Sequence, residues 1–236
     1  AQSISHFMTP ERFLVALGSE DAATSTKDPM LVAWALQEGG FSNGDWTPAA
    51  TNTAGDLKLG EGSRIVRGMA MPLVNLIWTD TSLYQMRYLQ DTNFVFGFDL
   101  VGTGCGLIGP NAAARVGDTG AVYWLSTSRK FFAWQGGAPV EIQCPVREWF
   151  FDRLANVQET LIYAGVNGRW NEIWWFYPGD GNGDDSYLIY NYKENHWSIG
   201  SYDISAWVDR GVLQYPMAIH TDGGAYLQER GDTAGG

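Results

Sequence analysis

Cysteine is nearly missing from this 236-residue chain, which has two, Cys105 and Cys144. Two thiols cannot build a disulfide scaffold, and neither has a metal-ligand neighbour at a useful spacing, so both are expected to be reduced and packed. Histidine is as scarce: none of His6, His196 and His220 stands near another His, Cys or Glu at metal-ligand spacing, which excludes the common zinc patterns. Charge of one sign is short. Fifteen Lys and Arg stand against 26 Asp and Glu, a net charge of −11. The bases are dispersed (Arg64 and Arg67, Arg129 and Lys130, Arg147 and Arg153), so no patch is set up to neutralise nucleic-acid phosphates. No apolar run approaches the roughly 20 residues of a membrane-spanning helix, and no membrane anchor is expected. The opening AQSISHFMTPER lacks the basic start and apolar stretch of a signal peptide. The missing initial Met reads as processing or as a fragment.

What is abundant is aromatic side chain and glycine: 11 Trp, 11 Tyr, 11 Phe and 29 Gly. Aromatics favour pleated, half-buried surfaces, and glycines favour turns, so short strands are expected throughout. Helix has one candidate, VREWFFDRLANVQETL (146–161), for which a strand followed by a loop is an equal reading.

Trp residues inside apolar clusters recur along the chain: VAWAL at Trp34, LIWTD at Trp78, VYWLS at Trp124 and IWWFY at Trp174, with Tyr226 in GGAYLQE as a fifth. The steps are roughly 44–52 residues, near the 40–50 of propeller blades. A second aromatic follows the first four, at Trp46, Tyr88, Trp134 and Tyr190. Each unit reads as strand, turn, strand and a variable return, with STSRK a polar hairpin tip. The expected fold is all-β and β-propeller-like, one domain over 1–236 with about five repeat units. One four-stranded blade cannot bury both faces alone, so it stacks on its neighbours. A β-sandwich with incidental Trp spacing is the plainer alternative. Residues 37–63, rich in Gly, Thr and Asn, read as a long inter-strand excursion, and 231–236 as a frayed tail.

The chemical constellations are weak. GDGNGDD places Asp180, Asn182, Asp184 and Asp185 as a candidate cation loop. A calcium loop begun at Asp180 would have Gly where Asp185 stands and Glu where Asn191 stands, so a solvated hairpin tip is the better reading. VGTGCGLIGPNAAARV (101–116) has no GKS or GKT, and Pro110 interrupts the place where a helix should begin. Its glycines fit a backbone that turns or approaches another segment. SNGDWTP (42–48) resembles the Asp-box turn of sialidase-like propellers in altered order, a structural element. His196 could serve as a base, but a packing or surface role fits its turn position better. Carboxylate pairs such as Glu38/Asp45 or Asp203/Asp209 can be drawn, and no serine-hydrolase elbow is present. No catalytic residue and no cofactor is expected.

Several long stretches taken together resemble a family. PAATNTAGDLKLGEGSRIVRG (48–68), LIWTDTSLYQMRY (76–88), FVFGFDLVGTGCGLIGPNAA (94–113), VYWLSTSRKFFAWQGG (122–137), YAGVNGRWNEIWWFYP (163–178), YLIYNYKENHWSIG (187–200) and AWVDRG (206–211) are similar to tail proteins of tailed bacteriophages, known as stabilisation, tail tubular or nozzle proteins. The resemblance covers roughly residues 11–230. It implies a structural virion protein, assembled in the host cytoplasm, forming a hexameric ring below the portal and adaptor. Such a ring retains packaged DNA and conducts it at ejection without binding it specifically. It implies no catalytic residues. Members of that family are much longer than this chain, so it reads as a piece or a shortened homologue. Acidic walls would repel the DNA backbone. Two other readings stand beside it: a carbohydrate-binding or carbohydrate-active propeller, suggested by the tryptophans and acidic loops, and a calcium-stabilised propeller.

Overall fold

The computed structural model describes residues 3–21, 24–90, 94–154, 159–178 and 186–230. The chain divides into two compact units. The first holds Ala1–Leu107 with Ser126–Ser128 and Gly137–Pro139; the second holds Ile108–Leu125, Arg129–Gly136 and Val140–Gly236.

The first unit contains two four-stranded antiparallel meanders. One runs β1 (Ser5–Met8), β2 (Leu14–Leu17), β3 (Leu31–Trp34) and β4 (Gly55–Lys58). The next runs β5 (Ile65–Met69), β6 (Asn75–Thr79), β7 (Ser82–Tyr88) and β8 (Phe96–Thr103). Val15, Leu17, Val32 and Trp34 from the first sheet pack with Ile65, Ile77, Tyr84, Met86 and Phe96 from the second. Phe96 meets Phe13 and Trp34 edge-on, with ring centroids 5.1 and 5.3 Å away. Such edge-to-face pairs add about 0.5–1.5 kcal/mol beyond the area they bury. Gly55 sits opposite Trp34 in register, where a Cβ would stand 2.4 Å from the indole. The glycine lets the ring lie across β4 while its Nε1–H donates to the Thr53 carbonyl at 2.9 Å.

The second unit contains two more four-stranded meanders and a three-stranded one. They are β9 (Ala113–Arg115), β10 (Val122–Leu125), β11 (Phe131–Trp134) and β12 (Val140–Ile142); then β13 (Tyr163–Asn167), β14 (Glu172–Tyr177), β15 (Ser186–Asn191) and β16 (His196–Ser201); then β17 (Ile204–Val208), β18 (Met217–His220) and β19 (Ala225–Leu227). Helix α1 (Arg147–Leu154) follows β12 and carries Phe150 and Phe151 into the core. Phe131 is the hub there, 5.0 Å from Trp175 and 5.7 Å from Phe150 between ring centroids. Trp175 is fully buried, and its Nε1–H reaches the Ala112 carbonyl at 3.1 Å. Phe176, Ile204 and Ala218 form a smaller cluster with Trp174 and Trp207, whose rings stack at 5.1 Å.

The fold is therefore all-β and propeller-like in its units: five antiparallel sheets in chain order, each a meander of consecutive strands. The repeat holds best in the middle. Trp78, Trp124 and Trp174 all lie on second strands, on β6, β10 and β14, and Tyr88, Trp134 and Tyr190 lie on the third strands they predict. The ends depart from it. Trp34 and Tyr226 lie on third strands, and Trp46 lies in a single 3-10 turn (Asn43–Trp46) instead of a strand. The excursion expected over 37–63 is shorter, because Gly55–Lys58 completes the first sheet as β4. Of the two readings of 146–161, helix holds at Arg147–Leu154, where the adjacent Phe150 and Phe151 are buried. The tail 231–236 lies outside the described residues.

Candidate functional site

The SNGDW stretch forms a polar clasp. Asp45 Oδ2 accepts the backbone N–H groups of Gly40, Phe41 and Ser42 at 2.9, 2.9 and 3.1 Å. Its Oδ1 accepts the Ser42 hydroxyl at 2.8 Å. These donors, the Gly40 N–H foremost, hold the carboxyl down at about 2, with little burial to oppose them. The loop therefore uses Asp45 as a structural anchor, the role expected of an Asp-box-like turn. Glu38 pairs instead with Arg12 at 2.5 Å. Asp209 Oδ1 accepts the N–H of Gly168 and of Arg210.

The glycine-rich stretch 101–116 serves close approach. A Cβ on Gly106 would sit 2.3 Å from the backbone of Asp80 and Thr81, and one on Gly109 would sit 2.3 Å from the Glu159 carbonyl oxygen. Cys105 is buried and Cys144 half-buried; neither is in a disulfide, and burial pushes both thiols up to about 11. His6 is exposed on β1. His196 lies 3.2 Å from Glu194, and His220 is packed edge-on between Tyr202 and Tyr226. The candidate cation residues Asp180, Asn182, Asp184 and Asp185 lie outside the described residues; β14 and β15, which flank them, pair from Tyr177–Ser186 inward, as a hairpin requires. Among the described residues, no group of three or more His, Cys, Asp or Glu could hold a metal. Among the described residues, no helix is long and apolar enough to cross a membrane.

The most organised polar constellation lies at one end of β13 and β14. Asn167, the last residue of β13, is fully buried. Its Nδ2 donates to Glu172 Oε2 at 3.3 Å and to Glu229 Oε1 at 3.4 Å, bridging two carboxylates. Each carboxylate also takes an indole N–H: Trp174 donates to Glu172 and Trp170 to Glu229, both at 2.9 Å. Burial raises the Glu172 carboxyl, with the nearby Glu229 charge adding to it; the Trp174 N–H works against that shift. Trp170 keeps 48% of its surface exposed beside this pair, and Arg169 lies over its ring at 5.4 Å. Fixed acceptors next to an exposed aromatic face suit hydroxyl-bearing ligands. Sequence reading missed this group because Asn167 and Glu229 are 62 residues apart, with no shared motif. The only local signal is the alternation of Glu172 and Trp174 on one face of β14.

No family model and no curated protein matches the chain. Among solved structures, one neighbour is a Bacteroides fragilis protein described as exported, with 10% identity, a TM-score of 0.39, and coverage of 91% of this chain and 65% of that one. Another is the WD40 domain of SCAP from fission yeast, with 7% identity, a TM-score of 0.39, and coverage of 92% and 66%. The chain thus spans just under two thirds of each.

Proposed function

We propose that the chain is a structural virion protein of a tailed bacteriophage, a tail nozzle or hub subunit that assembles as a ring below the portal and adaptor. In this reading it acts by assembly, and it retains and conducts DNA without specific binding. The observation that carries it is the use of the aromatic repeat: Trp78 and Trp124 are fully buried, and in the next sheet Trp174 is half-buried with its neighbour Trp175 fully buried, so large side chains serve a repeated scaffold. The long stretches that resemble nozzle proteins, and the net charge of −11, which repels phosphate, support the same role. Large apolar side chains stand free on loops, with Phe41 and Leu73 at 94% and 90% exposure, and Val212 is as open; these are natural points of contact between subunits. Mass spectrometry of purified particles tests the proposal. The chain should be present in several copies per particle, and its absence from particles that infect normally would refute the role.

A second reading is favoured by one observation, the half-exposed Trp170 beside the Glu172–Glu229 pair. It makes the protein a carbohydrate-binding propeller, with that end of β13 and β14 as its site. Glycan-array binding that is lost in Trp170→Ala would support it; an array with no signal from the native protein would remove it.

A further inference from the structure

The fifth sheet carries a polar network that none of the roles above uses. Its members are Tyr202, between β16 and β17, His220 at the end of β18, Tyr226 on β19 and Gln228 just past β19. The Tyr202 hydroxyl donates to Gln228 Oε1 at 2.8 Å, and Gln228 Nε2 donates to the Tyr226 carbonyl at 3.3 Å. A carbonyl oxygen only accepts, so the nitrogen end of the amide must be the one that faces Tyr226. The same Nε2 stands 3.3 Å from His220 Nε2. An amide nitrogen only donates, so this ring nitrogen must accept. The network therefore selects one state of the ring: neutral, with Nε2 bare and the proton on Nδ1.

A second proton on His220 breaks that arrangement. It puts an N–H on Nε2 against the NH2 group of Gln228, donor against donor. Turning the amide over restores a bond to the ring, but it sets Oε1 against the Tyr226 carbonyl and makes the Tyr202 hydroxyl accept instead of donate. Either way a bond of the network is lost. The other groups around the ring do not repair it. Tyr202 and Tyr226 flank it edge-on, with ring centroids 4.9 and 4.7 Å away, and β17 offers the apolar Ile204 in register. Asp222, in the turn between β18 and β19, has its carboxyl lowered first by the Gly224 N–H and then by the Tyr226 hydroxyl, with a smaller pull from His220. Asp222 can pair with a charged ring, whereas the Gln228 amide as placed bonds only a neutral one.

We propose that His220 is an acid-sensitive latch. Neutral, it ties the end of β19 to the chain entering β17 through Gln228 and Tyr202; protonated, it releases that tie. Strand β19 is an edge strand paired with β18 alone, so the latch governs how firmly a sheet edge is held. Histidine side chains ordinarily change charge between about pH 5 and 8, which places the release within reach of mild acid. The latch is independent of both roles proposed above.

Ring NMR and amide exchange on the full chain test it together. At about pH 8, the His220 proton should sit on Nδ1. The Gln228 amide bonds the Pro216 carbonyl, and the His220 amide bonds that of Gly224. From about pH 8 to about pH 5, with the intrinsic pH dependence of exchange removed, their protection should fall by about two- to tenfold, as for one lost hydrogen bond. The fall should track the ring's own titration, and the amides of β10 should not share it. His220→Gln places an uncharged acceptor near the same position and should keep both backbone amides protected in acid. Gln228→Ala should leave them poorly protected in acid and base alike. A neutral ring with its proton on Nε2 would overturn the proposal. So would protection that does not change across the titration, a loss shared equally by β10, or the native pH dependence in His220→Gln.

Discussion

The loop 40–47 of the first sheet and the end of β13 and β14 in the fourth each place a carboxylate under several hydrogen-bond donors, yet the two acids are driven in opposite directions. Asp45 is partly exposed and held at about 2, because three backbone N–H groups and a hydroxyl point at it and little burial opposes them. Glu172 takes an indole and an amide N–H, but it is half-buried beside Glu229, and burial wins. Donor count alone does not set a pKa; donors have to outweigh desolvation and like charge. The surroundings differ in kind as well. The loop is held by polar contacts, whereas β14 is held by aromatic packing on both faces, with Trp175 on one and Trp174 on the other.

The strongest way to break that comparison is to remove the aromatic anchor. Trp175→Ala should cost about 3–5 kcal/mol, the usual range for deleting a buried aromatic, because Phe131 and Trp197 lose a ring they contact. Urea unfolding at neutral pH measures it; a loss below about 1 kcal/mol would mean that the sheet is not held by this stack.

Next is the steric partner of Trp34. Gly55→Ala would put a Cβ 2.4 Å from the indole, so the ring or β4 must move. The expected result is a lower melting temperature and a changed chemical shift for the Trp34 indole N–H, which now bonds Thr53. An unchanged indole signal would contradict the packing described.

The two carboxylates give opposite acid dependences. The folded-state value of Asp45 lies below its ordinary 3.8, so its contribution is present above that value and lost as pH falls toward about 2. In Asp45→Asn, that segment of the stability curve should flatten, with amides 40–42 exchanging faster at neutral pH. The folded-state value of Glu172 lies above its ordinary 4.5. The folded state therefore binds more protons, and stability falls as pH rises from that value through the folded one. Glu172→Gln, which still accepts from Trp174, should remove this slope and leave the protein slightly more stable at neutral pH. Equal slopes of one sign for the two sites would remove the distinction. The smallest effect expected is that of calcium: melting with calcium and with chelator should give the same midpoint, and a clear rise with calcium would support a cation role for 180–185.

Much of the fold was legible because hairpins are local. Trp78 to Tyr88 and Trp124 to Trp134 each span two strands and one tight turn, so the aromatic spacing reports pairing directly. The hairpin around Trp174 and Tyr190 was legible once its acidic insert was set aside. The first sheet was misread by one strand. Its second strand, LVAL at 14–17, has no aromatic to mark it, and the first strong signal, Trp34, belongs to the third. Strand β4 was hidden in a glycine- and threonine-rich run because its burial depends on partners elsewhere: only Gly55 of its four residues is buried. The Asp45 clasp was visible as a turn motif. The Asn167 bridge was not, since it joins residues that only the folded chain brings together.

The central claim, that this is an assembled tail subunit, is most directly tested by a density map of purified particles. The account predicts a ring below the portal in which each subunit shows five small antiparallel sheets with the short helix 147–154 following the third. A tail fully accounted for by other proteins, with this chain absent from the particle, would contradict it.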